Sequence, residues 1–161
     1  TIADYVRLQI DAGVDAVQLF DSWIGCLSVA HYRRYVAPHS AALIERIGGR
    51  VPIIYFGTGN SHLVDDMYAA GPDVMAFDWR TPLRETWDRL GCVAVQGNLD
   101  PISLLAPWSV VERRALDVLA RAGGRDGHVF NLGHGVVPAT PVEHLQRLVD
   151  LVHERSAREA S

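Results

Sequence analysis

Five short, nearly continuous apolar runs punctuate the chain, each followed by a polar loop. They are DAVQLF (15–20), VPIIYF (51–56), DVMAFD (73–78), CVAVQG (92–97) and HVFNLG (128–133). A strand with one wet face alternates apolar and polar residues. Most of these runs do not alternate, so they predict strands covered on both faces, as in parallel sheets under helices. The intervening segments have helical spacing. Val111, Ala115, Val118, Leu119 and Ala122 form one apolar stripe; Val142, Leu145, Leu148, Val149 and Val152 form another. Ser109–Glu112 and Thr140–Glu143 fit the capping box, the latter with Pro141 at the first helical position. A further helix is predicted over 31–47, with Pro38 kinking or restarting it, and shorter ones over 61–70 and 82–90.

Strand–helix alternation of this kind means a parallel α/β sheet, either open and doubly wound or part of a (βα)8 barrel. The distribution of unusual residues favours the barrel. Every run ends in a loop rich in Gly, Asp or other polar residues: FDSWIG, FGTGNSH, FDWRTP, QGNLDP and NLGHGVVP. In a barrel these loops collect on one face, where active sites sit. Five strands cannot close an eight-stranded barrel, and the chain opens without Met inside a segment that reads as a helix. The expectation is a piece of something longer.

Composition removes several function classes. Fifteen basic against nineteen acidic residues give a formal charge of −4, which offers no broad basic surface to nucleic acid or to an anionic membrane. No run approaches the roughly 18 apolar residues of a membrane span, and charges interrupt TIADYVRLQIDAG as they would not interrupt a signal peptide. Cys26 and Cys92 lie far apart and outside any CxxC, so both are expected to be reduced, partly buried thiols of a cytoplasmic protein. Seven histidines show no HExxH or other ligand spacing, so no metal is expected.

The five loops carry the candidate chemistry. In QLFDSWIG, Ser22 offers a hydroxyl, Asp21 a carboxylate, and Phe20 and Trp23 flat apolar surface. No GxSxG elbow marks Ser22 as a nucleophile, and Asp-Ser equally suits a helix cap or turn. FGTGNSH has neither the Walker nor the dinucleotide spacing, and reads as a tight turn with a helix cap. Asp78 and Asp100 stand at strand ends, where two carboxylates that met in space could act as acid and base. Asn98 and Asp100 before Pro101 serve as well as turn formers. In NLGHG, glycines on both sides expose His134, which can bond a carboxylate, exchange protons near neutral pH, or remain a solvated loop histidine.

Taken together, QLFDSWIG, FDW, QGNLDP and NLGHGVVPATPVEH resemble, in order and spacing, the C-terminal half of the uroporphyrinogen decarboxylase family, from about Gly13 to His153. The resemblance implies a (βα)8 TIM barrel, commonly a cytoplasmic homodimer, that needs no metal or organic cofactor. It implies conversion of the four acetate side chains of uroporphyrinogen III to methyl groups, giving coproporphyrinogen III for heme synthesis. It further implies that Ser22 and His134 contact substrate carboxylates and that Phe20 lines the pocket. The family's arginine-bearing motif, its aspartate facing the pyrrole nitrogens and its pocket tyrosine belong to an N-terminal half that no residue of this chain matches. Residues 1–161 therefore read as the C-terminal part of one barrel domain, without a complete catalytic set and inactive alone. Two other readings remain. Cobalamin-dependent methyltransferases of the same superfamily share the barrel, but hold zinc through a His-x-Cys where this chain has Tyr55-Phe56-Gly57. The chain could also be a non-catalytic barrel fragment that binds without turnover.

Overall fold

The expected alternation forms. In the computed structural model, which describes residues 2–91 and 94–157, a helix α1 (Ile2–Asp11) precedes strand β1 (Val17–Asp21). Then follow α2 (Val29–Tyr35), α3 (Ala37–Ile47), β2 (Ile53–Gly57), α4 (Val64–Tyr68), β3 (Val74–Ala76) and α5 (Leu83–Leu90). The chain continues through β4 (Ala94–Gln96), α6 (Trp108–Ala122), β5 (His128–Val129) and α7 (Val142–Ser156). Cys92 and Val93, the start of the expected fourth run, lie outside the described residues.

The sheet is parallel throughout and its order is β1-β2-β3-β4-β5. That order decides between the two architectures. A doubly wound sheet reverses direction at a switch point. Here each right-handed crossover moves the chain one place the same way, which puts every helix on the same face. The strands follow the pattern of a barrel segment. A second observation agrees: Gln96 Nε2 donates to Gln18 Oε1 over 3.2 Å. These residues lie on β4 and β1, three strand spacings apart, which is about 14 Å in a flat sheet. Two glutamine side chains span that gap only because the sheet curls toward the face that carries them.

Register separates the two faces. Val17, Leu19 and Asp21 pair with Ile53, Tyr55 and Gly57, and Tyr55 with Met75, then Val95 with His128. This row packs under the helices, and Ile53, Tyr55, Met75 and Val95 are all buried. The alternate row, Gln18, Phe20, Ile54, Phe56, Val74, Ala76, Ala94, Gln96 and Val129, lines the concave face. The apolar runs predict cover on both faces; the middle of this row is covered, Phe56, Ala76 and Gln96 being buried, whereas at the edge strands Phe20 is 70% exposed and Val129 45%. Among the described residues β1 and β5 are each paired on one side only.

Helix boundaries show where local rules won or lost. Pro38 restarts the predicted 31–47 helix: α2 ends at Tyr35, Val36 takes φ −120°, and Pro38 falls in the first turn of α3, where its missing N–H costs nothing. Neither capping box forms. Pro107 and Pro141 take the cap positions of α6 and α7, both with extended backbone and no side-chain cap. Ser109 is thereby inside its helix, and the Thr140 hydroxyl is buried without a hydrogen-bond partner. The predicted 61–70 helix shrinks to α4, capped by Leu63. Cys26 is exposed rather than partly buried, because it ends a short 3-10 turn (Ile24–Cys26) of which only Ile24 is buried.

His128 ties β5 to the neighbouring strand end, its Nε2–H donating to Gly97 O over 2.8 Å between the Trp87 and Phe130 rings. Burial holds its pKa below the ordinary 6.5, the Gly97 bond opposing this only in part. The neutral ring is therefore the folded form, and its stabilisation is present above pH 6.5 and lost as pH falls from there through the folded value. The urea midpoint is expected to drop between about pH 7 and 5, and His128→Gln to flatten that part of the profile; an unchanged slope in the variant contradicts this.

Candidate active-site rim

The loops at the C-terminal ends of the strands are joined each to the next. Gly25, after β1, lies so close to the loop after β2 that a Cβ would stand 2.3 Å from Thr58 O and 2.6 Å from Gly59 O. His62 reaches back over the same gap to Leu27 O at 2.9 Å. The loops after β2 and β3 meet through Ser61 Oγ and Thr81 Oγ1, 2.9 Å apart. Asn98, buried after β4, donates to Asp78 O (3.0 Å) and Thr81 O (2.7 Å). The last loop is held by Leu99 N to Asn131 O (3.1 Å) and Gly133 N to Leu99 O (2.7 Å). Gly133 also sits directly on the Asp78–Trp79 backbone.

Asp78 is the centre of this chain of contacts. Its side chain is fully buried. Oδ2 accepts from Gly59 N (2.6 Å) and Arg80 Nη1 (2.8 Å), and Oδ1 accepts from Arg80 N (2.9 Å). A buried carboxylate is tolerated only when paired and hydrogen-bonded, and here all its partners come from the rim itself. Asp100 is committed separately: Oδ1 accepts from Ile102 N at 3.0 Å, capping a 3-10 turn, and Arg114 lies 3.9 Å from Oδ2. The two strand-end carboxylates are thus turn-building groups rather than an acid–base pair.

Of the residues singled out by the sequence, Phe20 and His134 are linked through a third ring, the buried Phe56. Phe20 meets Phe56 edge-on at 5.8 Å between ring centroids, and Phe56 meets His134 at 6.4 Å. A line of rings therefore crosses the concave face at its C-terminal end, from the first strand to the fifth loop. His134 is exposed at its far end. Ser22 lies half-buried in the turn that follows Phe20, with no hydrogen-bond partner for its hydroxyl among the described residues. Trp23 is 85% exposed beside it. The FGTGNSH loop is a tight turn, Gly59 having φ +64°. Its expected cap function is absent, because Asn60 instead turns inward, its amide against Met67 Sδ. Among the described residues no three His, Cys, Asp or Glu side chains converge as metal ligands.

Two groups escaped sequence reasoning. One is the Gln18–Gln96 bridge across the concave floor. The other is a cluster on the helix side of β1. Tyr55 donates its hydroxyl proton to Asp21 Oδ2 (3.1 Å), so Ser40 Oγ at 3.0 Å and Tyr32 at 3.4 Å must be the donors to Tyr55. Burial pushes the Asp21 carboxyl above its ordinary 3.8, the Tyr55 bond opposing the shift, and burial pushes both tyrosines up as well. The only signal was Asp21 at a strand end; the residue it bonds, Tyr55, is 34 residues away. The same cluster borders a groove of about 940 Å³ along the unpaired edge of β1, between α1 and α3 and lined by Tyr5, Phe20, Asp21 and Arg46.

The family model described as uroporphyrinogen decarboxylase (URO-D) matches residues 1–155. The chain belongs to the uroporphyrinogen decarboxylase family. A uroporphyrinogen decarboxylase of Salinispora tropica is 53% identical over 156 residues, 96% of this chain and 42% of that protein. One of Chloroflexus aurantiacus is 52% identical over 157 residues, 94% of this chain and 44% of its own length. The chain thus spans under half the length of these curated relatives. Among solved structures, a methyltransferase from Methanosarcina mazei superposes with a TM-score of 0.83 at 20% identity, over 96% of this chain and 46% of its own. That likeness establishes the shared fold.

The glycines around His134 are not equivalent. A Cβ on Gly133 would stand 2.4 Å from Trp79 N, whereas one on Gly135 meets nothing within 4 Å. Gly133→Ala is expected to cost about 1–3 kcal/mol of stability, and Gly135→Ala to stay within about 0.5 kcal/mol, in urea denaturation. Equal effects would show that the fifth loop is not seated on the third.

Proposed function

We propose that this chain supplies the C-terminal half of a uroporphyrinogen decarboxylase, a carboxy-lyase that converts uroporphyrinogen III to coproporphyrinogen III. Family membership over residues 1–155 supports the reaction, and one structural observation carries the site: the line Phe20–Phe56–His134 across the C-terminal end of the sheet. The exposed Phe20 ring, backed by the buried Phe56, offers an apolar wall to a macrocycle. His134 and the Ser22 hydroxyl stand on either side of that wall as donors to substrate carboxylates.

The chemistry asks little of a cofactor. Protonation of a pyrrole ring carbon creates an iminium-like cation. The bond between an acetate methylene and its carboxylate then breaks, its electron pair flowing into that cation while carbon dioxide leaves. The methylene takes up a proton to become methyl, and the ring carbon returns its own. Each acetate consumes one proton and yields one carbon dioxide. The protein must orient the carboxylates and stabilise the cation. This chain provides carboxylate contacts; the proton donor and the main arginine grip come from an N-terminal barrel half. That half also pairs with the free edge of β1 and covers the groove between α1 and α3, where Tyr5 and Phe20 are exposed. Cytoplasmic location and a homodimer belong to the same proposal; no described helix is long and apolar enough to cross a membrane.

The test joins this chain to the N-terminal half of the Salinispora tropica relative and measures coproporphyrinogen formation. The joined protein is expected to turn over and the 161-residue chain alone not to. His134→Ala and Ser22→Ala are each expected to lower kcat/KM roughly 10- to 100-fold, the scale of a hydrogen bond to a charged group. Unchanged rate and KM in both variants would remove these residues from the site. Uroporphyrinogen binding without turnover in the joined protein would favour the non-catalytic reading.

A further inference from the structure

The rim loops, residues 22–28, 58–63, 77–82, 97–107 and 130–141, contain a single arginine, Arg80, and the chain has no lysine. Arg80 is held unusually well for a loop side chain. Its guanidinium carbon lies 4.2 Å from the centroid of the Trp79 ring, and Nη1 donates to the buried Asp78 Oδ2 at 2.8 Å. That bond uses one of five N–H donors. The side chain is otherwise 53% exposed, and its remaining donors have no partner among the described residues. Its surroundings fix its place on the rim. Nη1 lies 3.8 Å from where a Cβ on Gly59 would stand, and Gly59 is the residue on which Gly25 of the Ser22 loop rests. The backbone of Trp79, on its other side, carries Gly133 of the His134 loop. Arg80 therefore stands between the two loops that bear the proposed substrate contacts.

A structural role explains part of this: the buried Asp78 carboxylate needs a counter-charge. It does not explain why the partner is a planar guanidinium stacked on an indole with most donors turned outward. An arginine so oriented has already lost the rotamer freedom that binding would otherwise cost it, and its fork matches a carboxylate. We infer that Arg80 is a carboxylate-binding residue of this rim, anchored through Asp78 and Trp79 and taking a carboxylate of the same polyanionic substrate that Ser22 and His134 address. The inference rests on the proposed function for the identity of the substrate.

Uroporphyrin, the stable octacarboxylate analogue, is the probe, and its binding to the 161-residue chain is followed by fluorescence. Arg80→Ala is expected to weaken Kd about 10- to 100-fold and to lower the melting temperature by leaving Asp78 unpaired. Asp78→Asn combined with Arg80→Ala separates the two roles. The double variant is expected to regain the lost melting temperature but not the affinity. Recovery of the affinity in the double variant would reduce Arg80 to a partner of Asp78 and overturn the inference. So would wild-type affinity in Arg80→Ala, or no uroporphyrin binding by the unaltered chain. Intact, Arg80-dependent binding with no turnover in the joined protein would instead sink the decarboxylase reading and leave the carboxylate site standing.

Discussion

Everything on the functional face leans on one buried carboxylate. Asp78 leaves the end of β3 and is enclosed by the second and third loops, with three donors drawn from Gly59 and Arg80. Its own backbone carbonyl takes Asn98 from the fourth loop, and the adjoining peptide is the seat of Gly133 in the fifth. A charge buried in this way is costly if any partner is lost, so it penalises every arrangement of the rim but one. The loops need that constraint, because β3 and β4 contribute three residues each and β5 only two. Such short ladders could not aim side chains several residues past their ends without cross-links above them.

The rim in turn gives meaning to the concave face. Phe20, Phe56 and His134 belong to β1, β2 and the fifth loop, separated by more than a hundred residues of chain, and they fall into line because the sheet curls toward them. The curled, five-stranded parallel sheet has, among the described residues, two edges paired on one side only and exposed apolar side chains, Phe20 and Val129, on those edge strands. The N-terminal half in the proposed function continues the barrel from these edges, and the two relatives are more than twice as long as this chain. The architecture and the proposed division of catalytic labour are two aspects of a single geometry.

Much of this was legible in the sequence, for reasons that differ between elements. Strand positions could be read because the two faces of a barrel strand are both apolar, which leaves near-continuous runs such as VPIIYF. The break at Pro38 could be read because proline chemistry is local. Capping boxes at Ser109 and Thr140 were misread because Pro107 and Pro141 set the cap positions first. His134 was visible through its flanking glycines, whereas Ser22 rested on resemblance alone. What no local pattern reveals is convergence. The Asp21–Tyr55–Ser40 cluster, the Gln18–Gln96 bridge and the Asp78 knot each join residues 15 to 78 positions apart. Asp78 and Asp100 look alike in sequence, yet one is sealed beneath the rim and the other caps a turn.

The claim that Asp78 organises the rim is tested most directly by amide hydrogen exchange, residue by residue, in the unaltered chain and in Asp78→Ala. The Gly59, Leu99 and Gly133 amides should be protected in the unaltered chain, since each donates within the rim. In the variant these amides should exchange fast while amides of the β1–β2 ladder keep their protection. Rim amides that stay protected without the carboxylate, or that exchange freely with it in place, would contradict the account.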